Sequence, residues 1–103
     1  MSRAQRAQRH RLAVEVGAHL PYYPVGMTLA RLAAEVLGDA CEQNQKRVQH
    51  ALEYLWKHWA IFVHEAPVYS GHRGQADAWE YWLGEPKARA AIEELQVREL
   101  STT

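Results

Sequence analysis

The apolar residues of this chain change period near residue 59, and that change limits the folds open to it. Before it they recur every three to four residues. Leu29, Leu32, Ala33, Val36 and Leu37 follow an i, i+3, i+4, i+7, i+8 pattern, which lines one side of a helix. Val48, Ala51, Leu52 and Leu55 make a second stripe of the same kind. After it, WAIFVHEAPVY (59–69) is β-branched and aromatic and reads as a strand. AWEYWLG (78–84) alternates Trp79, Tyr81 and Leu83 with Glu80 and Trp82, and reads as the returning strand. Helices followed by a hairpin place the chain in the α+β class, mostly α.

The breaks between these segments agree with that reading. Residues 3–19 hold no proline and carry Leu12 and Val16, with Leu20 just beyond, at spacing four; Gly17 weakens the end of this first helix. PYYPVG (21–26) is a loop. Thr28 is a fitting N-cap for the second helix, and Gly38 ends it. A third helix is predicted from about Gln43 to Lys57, and SGHRGQAD (70–77) is the hairpin loop. Pro86 opens a last helix at its first turn, running to about Leu100 with Ala88, Ala91, Ile92 and Leu95 along one side.

The 103 residues suffice for one domain, with a stability of roughly 5–15 kcal/mol. The single cysteine, Cys41, allows no internal disulfide and fits a reducing, cytoplasmic setting. No apolar run approaches the ~20 residues of a membrane span, and no apolar stretch follows the N-terminal arginines as a secretory signal requires. Net charge is zero, but it is unevenly spread. Residues 1–73 hold nine Lys and Arg against six Asp and Glu, whereas residues 74–103 hold three against six. The first eleven residues carry Arg3, Arg6, Arg9 and Arg11 with no acid.

The third helix carries the most specific chemistry. With Val48, Leu52 and Leu55 inward, Gln43, Lys46, His50, Glu53 and Lys57 point outward, flanked by Arg47 and Gln49. Amides can pair with adenine in the major groove, and Lys or Arg with guanine. Asn44, Gln45, Lys46, Gln49 and His50 lie in the half of the helix that would reach deepest. A solvated cationic face has the same composition, so the helix alone leaves both readings open.

The order of elements and two segments resemble the winged helix-turn-helix superfamily over residues 10–83. MTLARLAAEVLG (27–38) matches the second helix of such domains. NQKRVQHALEYL (44–55) matches the recognition helix, with Asn44 at the usual Ser, Arg47 at the usual Thr and Val48 at the buried Val. WKHWAIFVHE (56–65) stands where the chain usually steps into the wing. Two features depart from the pattern: the turn DACEQ (39–43) is long, and Trp56 and Trp59 replace a Gly-Leu step.

The resemblance implies a three-helix winged helix-turn-helix domain with a two-stranded wing in residues 1–85. It leaves residues 86–103 as an extra C-terminal helix and a candidate dimerisation element. It implies a sequence-specific double-stranded DNA-binding protein of bacterial or phage type, acting as a homodimeric repressor. Gln43, Asn44, Gln45, Lys46, Arg47, Gln49 and His50 would then meet the groove. Arg9, Arg11 and the loop pair His72 and Arg73 would meet phosphate or the minor groove.

Other expectations concern chemistry and partners. No catalytic set, no cofactor and no metal site is expected, because the histidines show no HxxxH or HExxH spacing and no carboxylate cluster accompanies them. Trp56, Trp59, Trp79 and Trp82 are expected to cluster, mostly in the core, where the third helix meets the wing. Three rivals to a regulator remain: a protein-interaction or assembly module using an aromatic wing surface, a replication or packaging accessory of a mobile element, and a metal sensor.

Overall fold

Ser2 starts the first helix with a capping box. Its hydroxyl accepts the Gln5 N–H at 3.2 Å, and the Gln5 side chain accepts the Ser2 N–H at 3.1 Å. Helix α1 then spans Arg3–His19. The structure, a computed structural model, describes residues 2–22, 24–68 and 78–101. After α1 come β1 (Met27–Thr28), α2 (Leu29–Leu37), α3 (Glu42–Trp59), β2 (Val63–Val68), β3 (Ala78–Leu83) and α4 (Pro86–Ser101). The described residues form a mostly helical α+β fold with four helices and one three-stranded antiparallel sheet, in the order β1-β3-β2.

The third strand corrects the expectation of a two-stranded sheet. Met27 and Thr28 pair with Tyr81 and Glu80, in a run too short for alternation to be seen in sequence. The chain is brought there by the turn after α1, where the Leu83 N–H donates to the Pro21 carbonyl at 2.8 Å. Thr28 both pairs in the sheet and caps α2, its hydroxyl accepting the Arg31 N–H at 3.2 Å. Gly38 stops α2 at φ 82°, a left-handed conformation that costs glycine nothing.

The boundary between α3 and the sheet differs from expectation. The helix continues through Trp59 and ends at Ala60, and β2 begins only at Val63. Ala60 holds φ 53° and ψ 31°, a left-handed conformation that L-residues rarely take. Its N–H returns to the Trp56 carbonyl at 3.0 Å, closing the last turn, and the next residue, Ile61, enters the core. Packing of Ile61 thus holds a backbone conformation that alanine disfavours. Ala60→Gly should therefore stabilise the fold by about 0.5–1 kcal/mol, seen as a raised thermal midpoint. An unchanged or lowered midpoint would show that Ala60 is not strained.

The core lies where α1 meets the other helices and the sheet. Leu20, Leu32, Leu55, Leu83, Ile92, Val16 and Val48 are its fully buried side chains. On α1 and its C-cap, Val16 and Leu20 are buried and Leu12 is half-buried against the core, as the spacing-four stripe predicts, and Ala13, Val14 and Gly17 widen the buried face. Gly17 has a packing role as well as a helix-weakening one. A Cβ there would lie 2.9 Å from Ile92 Cδ1 of α4 and 3.5 Å from Leu55 Cδ1 of α3, so its absence lets three helices meet.

Helix α4 contributes Ile92 and Leu95 to this same core, with Ala88 and Ala91 half-buried against it. As far as Leu95 the predicted apolar side packs within the chain, while Val97 beyond it is exposed. Arg89 locks the helix there: its guanidinium donates to the Ala18 carbonyl at 2.9 Å and to the Leu20 carbonyl, and it sits 5.4 Å from the Tyr22 ring centre. No helix among the described residues is long and apolar enough to cross a membrane.

Candidate nucleic-acid interface

Helix α3 buries Val48, Ala51, Leu52 and Leu55, as its periodicity predicts. The opposite side is uncovered by the described elements: Gln43, Lys46, Arg47, Gln49, His50, Glu53 and Lys57 are all exposed. Lys46 has a loose partner one turn back, Glu42 at 3.7 Å, with both side chains largely in solvent. Such a pair is worth little and leaves Lys46 free to exchange partners.

Asn44 and Gln45 lie differently from the other amides. Both are half-buried. Asn44 Nδ2 donates to the Asp39 carbonyl at 3.0 Å, and Gln45 Nε2 donates to the Ala40 carbonyl at 2.7 Å. These bonds satisfy carbonyls of the turn between α2 and α3, where no helix or sheet would pair them. The two side chains fix the entry angle of α3 and are turned away from its outward face. Gln43 and Gln49 remain the outward amides of the predicted set.

The basic N-terminus divides in the same way. Arg6 and Arg9 line a groove of about 890 Å³ between α1 and α3. Arg47, His50, Lys57 and His58 line its other wall, and Glu53 is the carboxylate among the described lining residues. Arg11 is exposed on α1 but is not among the lining residues. One turn further along, α1 and α3 are tied by a bond that sequence reasoning missed. His10 Nδ1 and the Tyr54 hydroxyl share a hydrogen bond at 2.8 Å. His10 also stands edge-on to Trp59 at 4.4 Å, and Tyr54 stacks on His58 at 3.9 Å. A signal for this was present: His10 precedes the buried Ala13 and Val14 by three and four residues, so it shares their face. His72 and Arg73 lie outside the described residues.

None of the four tryptophans is fully buried, although Trp59 is half-buried against the core, and Trp56 and Trp82 are linked through Phe62 and His64. Because α3 continues to Trp59, Trp56 and Trp59 stand on a helix and meet different neighbours. Trp59 packs on His10 and Tyr54, while Trp56 meets Phe62 edge-on at 5.9 Å. Trp82 stacks on His64 across the β2–β3 pair, at an interplanar angle of 13°, and Trp79 is exposed on the other sheet face. Trp56 and Phe62 are 56% and 57% exposed, unusual for rings of this size. They edge a small pocket of about 300 Å³ between α3 and the sheet, which Gln49, Glu65 and Tyr81 also line. Burial, and then the Glu65 carboxylate opposite it, push the Tyr81 phenol up, so it stays a protonated donor through the neutral range.

Among the described residues no group of three or more His, Cys, Asp or Glu is placed to hold a metal ion. Compared with protein-family models, with curated proteins and with solved structures, the chain finds no match.

Proposed function

We propose that this chain is a winged helix-turn-helix domain that binds double-stranded DNA, with α3 lying in the major groove. The sheet order β1-β3-β2, with β1 entering between α1 and α2, supports that topology. The observation that carries the reading is the uncovered outward face of α3, where amides and cations project beside the arginines of α1. Gln43, Lys46, Gln49 and His50 meet base edges. Arg6, Arg9 and Arg47 hold the phosphate backbone along the groove's rim. Asn44 and Gln45 act indirectly, by setting the angle at which α3 leaves the turn. Occlusion of a promoter by such a domain would make it a repressor, and selection of bound sequences from random duplexes would report both its site and any two-fold symmetry.

Point variants test this division of labour. Lys46→Ala and Gln49→Ala should each weaken binding to the selected site by about 1–3 kcal/mol and relax base choice. Gln45→Ala should instead lower the melting temperature while leaving base preference intact, because its amide is spent on Ala40. A gel-shift titration beside a thermal melt reads both. If Gln45→Ala altered base choice while Lys46→Ala and Gln49→Ala did not, α3 would be wrongly oriented in this proposal.

A further inference from the structure

The two edges of α3 differ in chemistry, and the difference selects what each can accept. On the α1 side the groove is cationic, with Arg6, Arg9, Arg47 and Lys57 around Glu53. On the sheet side the pocket is aromatic and acidic-rimmed. Trp56 and Phe62 form its exposed wall, and among its described lining residues Glu65 joins Glu53 and Lys57, which also border the groove. Two carboxylates repel phosphate, so this side suits an uncharged planar group that donates hydrogen bonds. A nucleobase is such a group: exocyclic amines donate to carboxylates, and the ring stacks on an indole or phenyl face.

Resting on the DNA reading above, we infer that the Trp56–Phe62 pocket receives one unpaired nucleobase of a strand whose phosphates run along the cationic edge. The protein would then prefer DNA in which the duplex is interrupted by an unpaired base. The perpendicular arrangement of the two rings leaves an open ring face for stacking. The volume of about 300 Å³ is at the low end for ligand pockets and holds one base, not a larger ligand. The protonated Tyr81 hydroxyl adds a donor beside the two carboxylates, so both kinds of base-edge group find partners. A protein partner fits less well, since a stable interface needs about 800 Å² per side and the apolar surface here is two rings with Leu52 and Val63, bounded by charges.

The test uses the full chain and three labelled probes of one sequence: a paired duplex, the same duplex with one unpaired adenine, and the single strand. Wild type should bind the interrupted duplex about 5- to 100-fold tighter than the paired one. Trp56→Ala and Phe62→Ala should each remove most of that preference while leaving affinity for the paired duplex within about twofold. Trp56→Phe, which keeps a ring, should retain much of it. Both rings are exposed, so these variants should fold, and circular dichroism checks that they do. With 2-aminopurine at the unpaired position, binding should quench its emission in wild type and not in Trp56→Ala. Equal wild-type affinity for paired and interrupted duplexes overturns the inference and leaves the DNA reading standing, as does a preference that survives both alanine variants. Absence of binding to all three probes overturns both, and leaves the exposed rings to a protein partner.

Discussion

Replacing Arg6, Arg9 and Arg47 together by alanine should weaken duplex binding on the order of 100-fold at physiological salt. Each lost phosphate contact costs about 1 kcal/mol or more, because a charge-assisted bond is exchanged for water. The salt dependence gives the sharper readout. Neutralised phosphates release counterions, so log K falls with log salt by about 0.9 per contact, and the triple variant's slope should be shallower by about three. All three side chains are exposed, so thermal stability should hardly change. Arg11→Ala is the natural control. It removes one charge from α1 outside the groove, and should shift affinity much less than Arg6→Ala or Arg9→Ala alone. Fluorescence anisotropy over a potassium chloride series checks both. An unaltered slope in the triple variant would remove α1 from the interface.

Leu55→Ala should destabilise the fold by about 2–5 kcal/mol, a large share of what a domain of this size possesses. Leu55 is wholly buried, and its side chain lies beside the point where Gly17 lets α1, α3 and α4 converge. Gly17, which faces Leu55 from α1, has no side chain to fill the space, so a cavity would persist. Urea titration should show the loss as a lower midpoint with little change in slope. The neighbouring Trp56→Ala removes a larger side chain from an exposed site and should move the midpoint far less. Equal midpoints for the two variants would mean that the helices do not converge at Gly17 as described.

The helical stripes were legible because burial and period agree there. Leu32, Ala33, Val48, Ala51, Leu52 and Leu55 are buried where their spacing placed them. Thr28 and Gly38 bound α2 through local bonds that depend only on near neighbours. The start of β2 was misread because Trp59 and Ala60 have strand-like company in sequence. Trp59 is held by contacts with His10 and Tyr54, more than forty positions away in the case of His10, and Ala60 by the packing of Ile61 after it. The outward set on α3 was only partly legible. Composition alone does not separate Gln45, bonded to the Ala40 carbonyl, from Gln49, which faces solvent. Of the basic start, sequence supplied four arginines, and helix rotation decided that Arg6 and Arg9 share the groove while Arg11 does not.

By itself the sequence determined the helices of this protein, the caps of α2, the hairpin strands and the apolar side of α3, because those depend on residues within two turns or on a simple alternation. Only the tertiary structure decided that Met27 and Thr28 add a third strand, that Gly17 is a meeting point of three helices, and that Trp56 and Phe62 stand open beside α3. Each of those depends on which distant surfaces touch, and side-chain period carries no record of that.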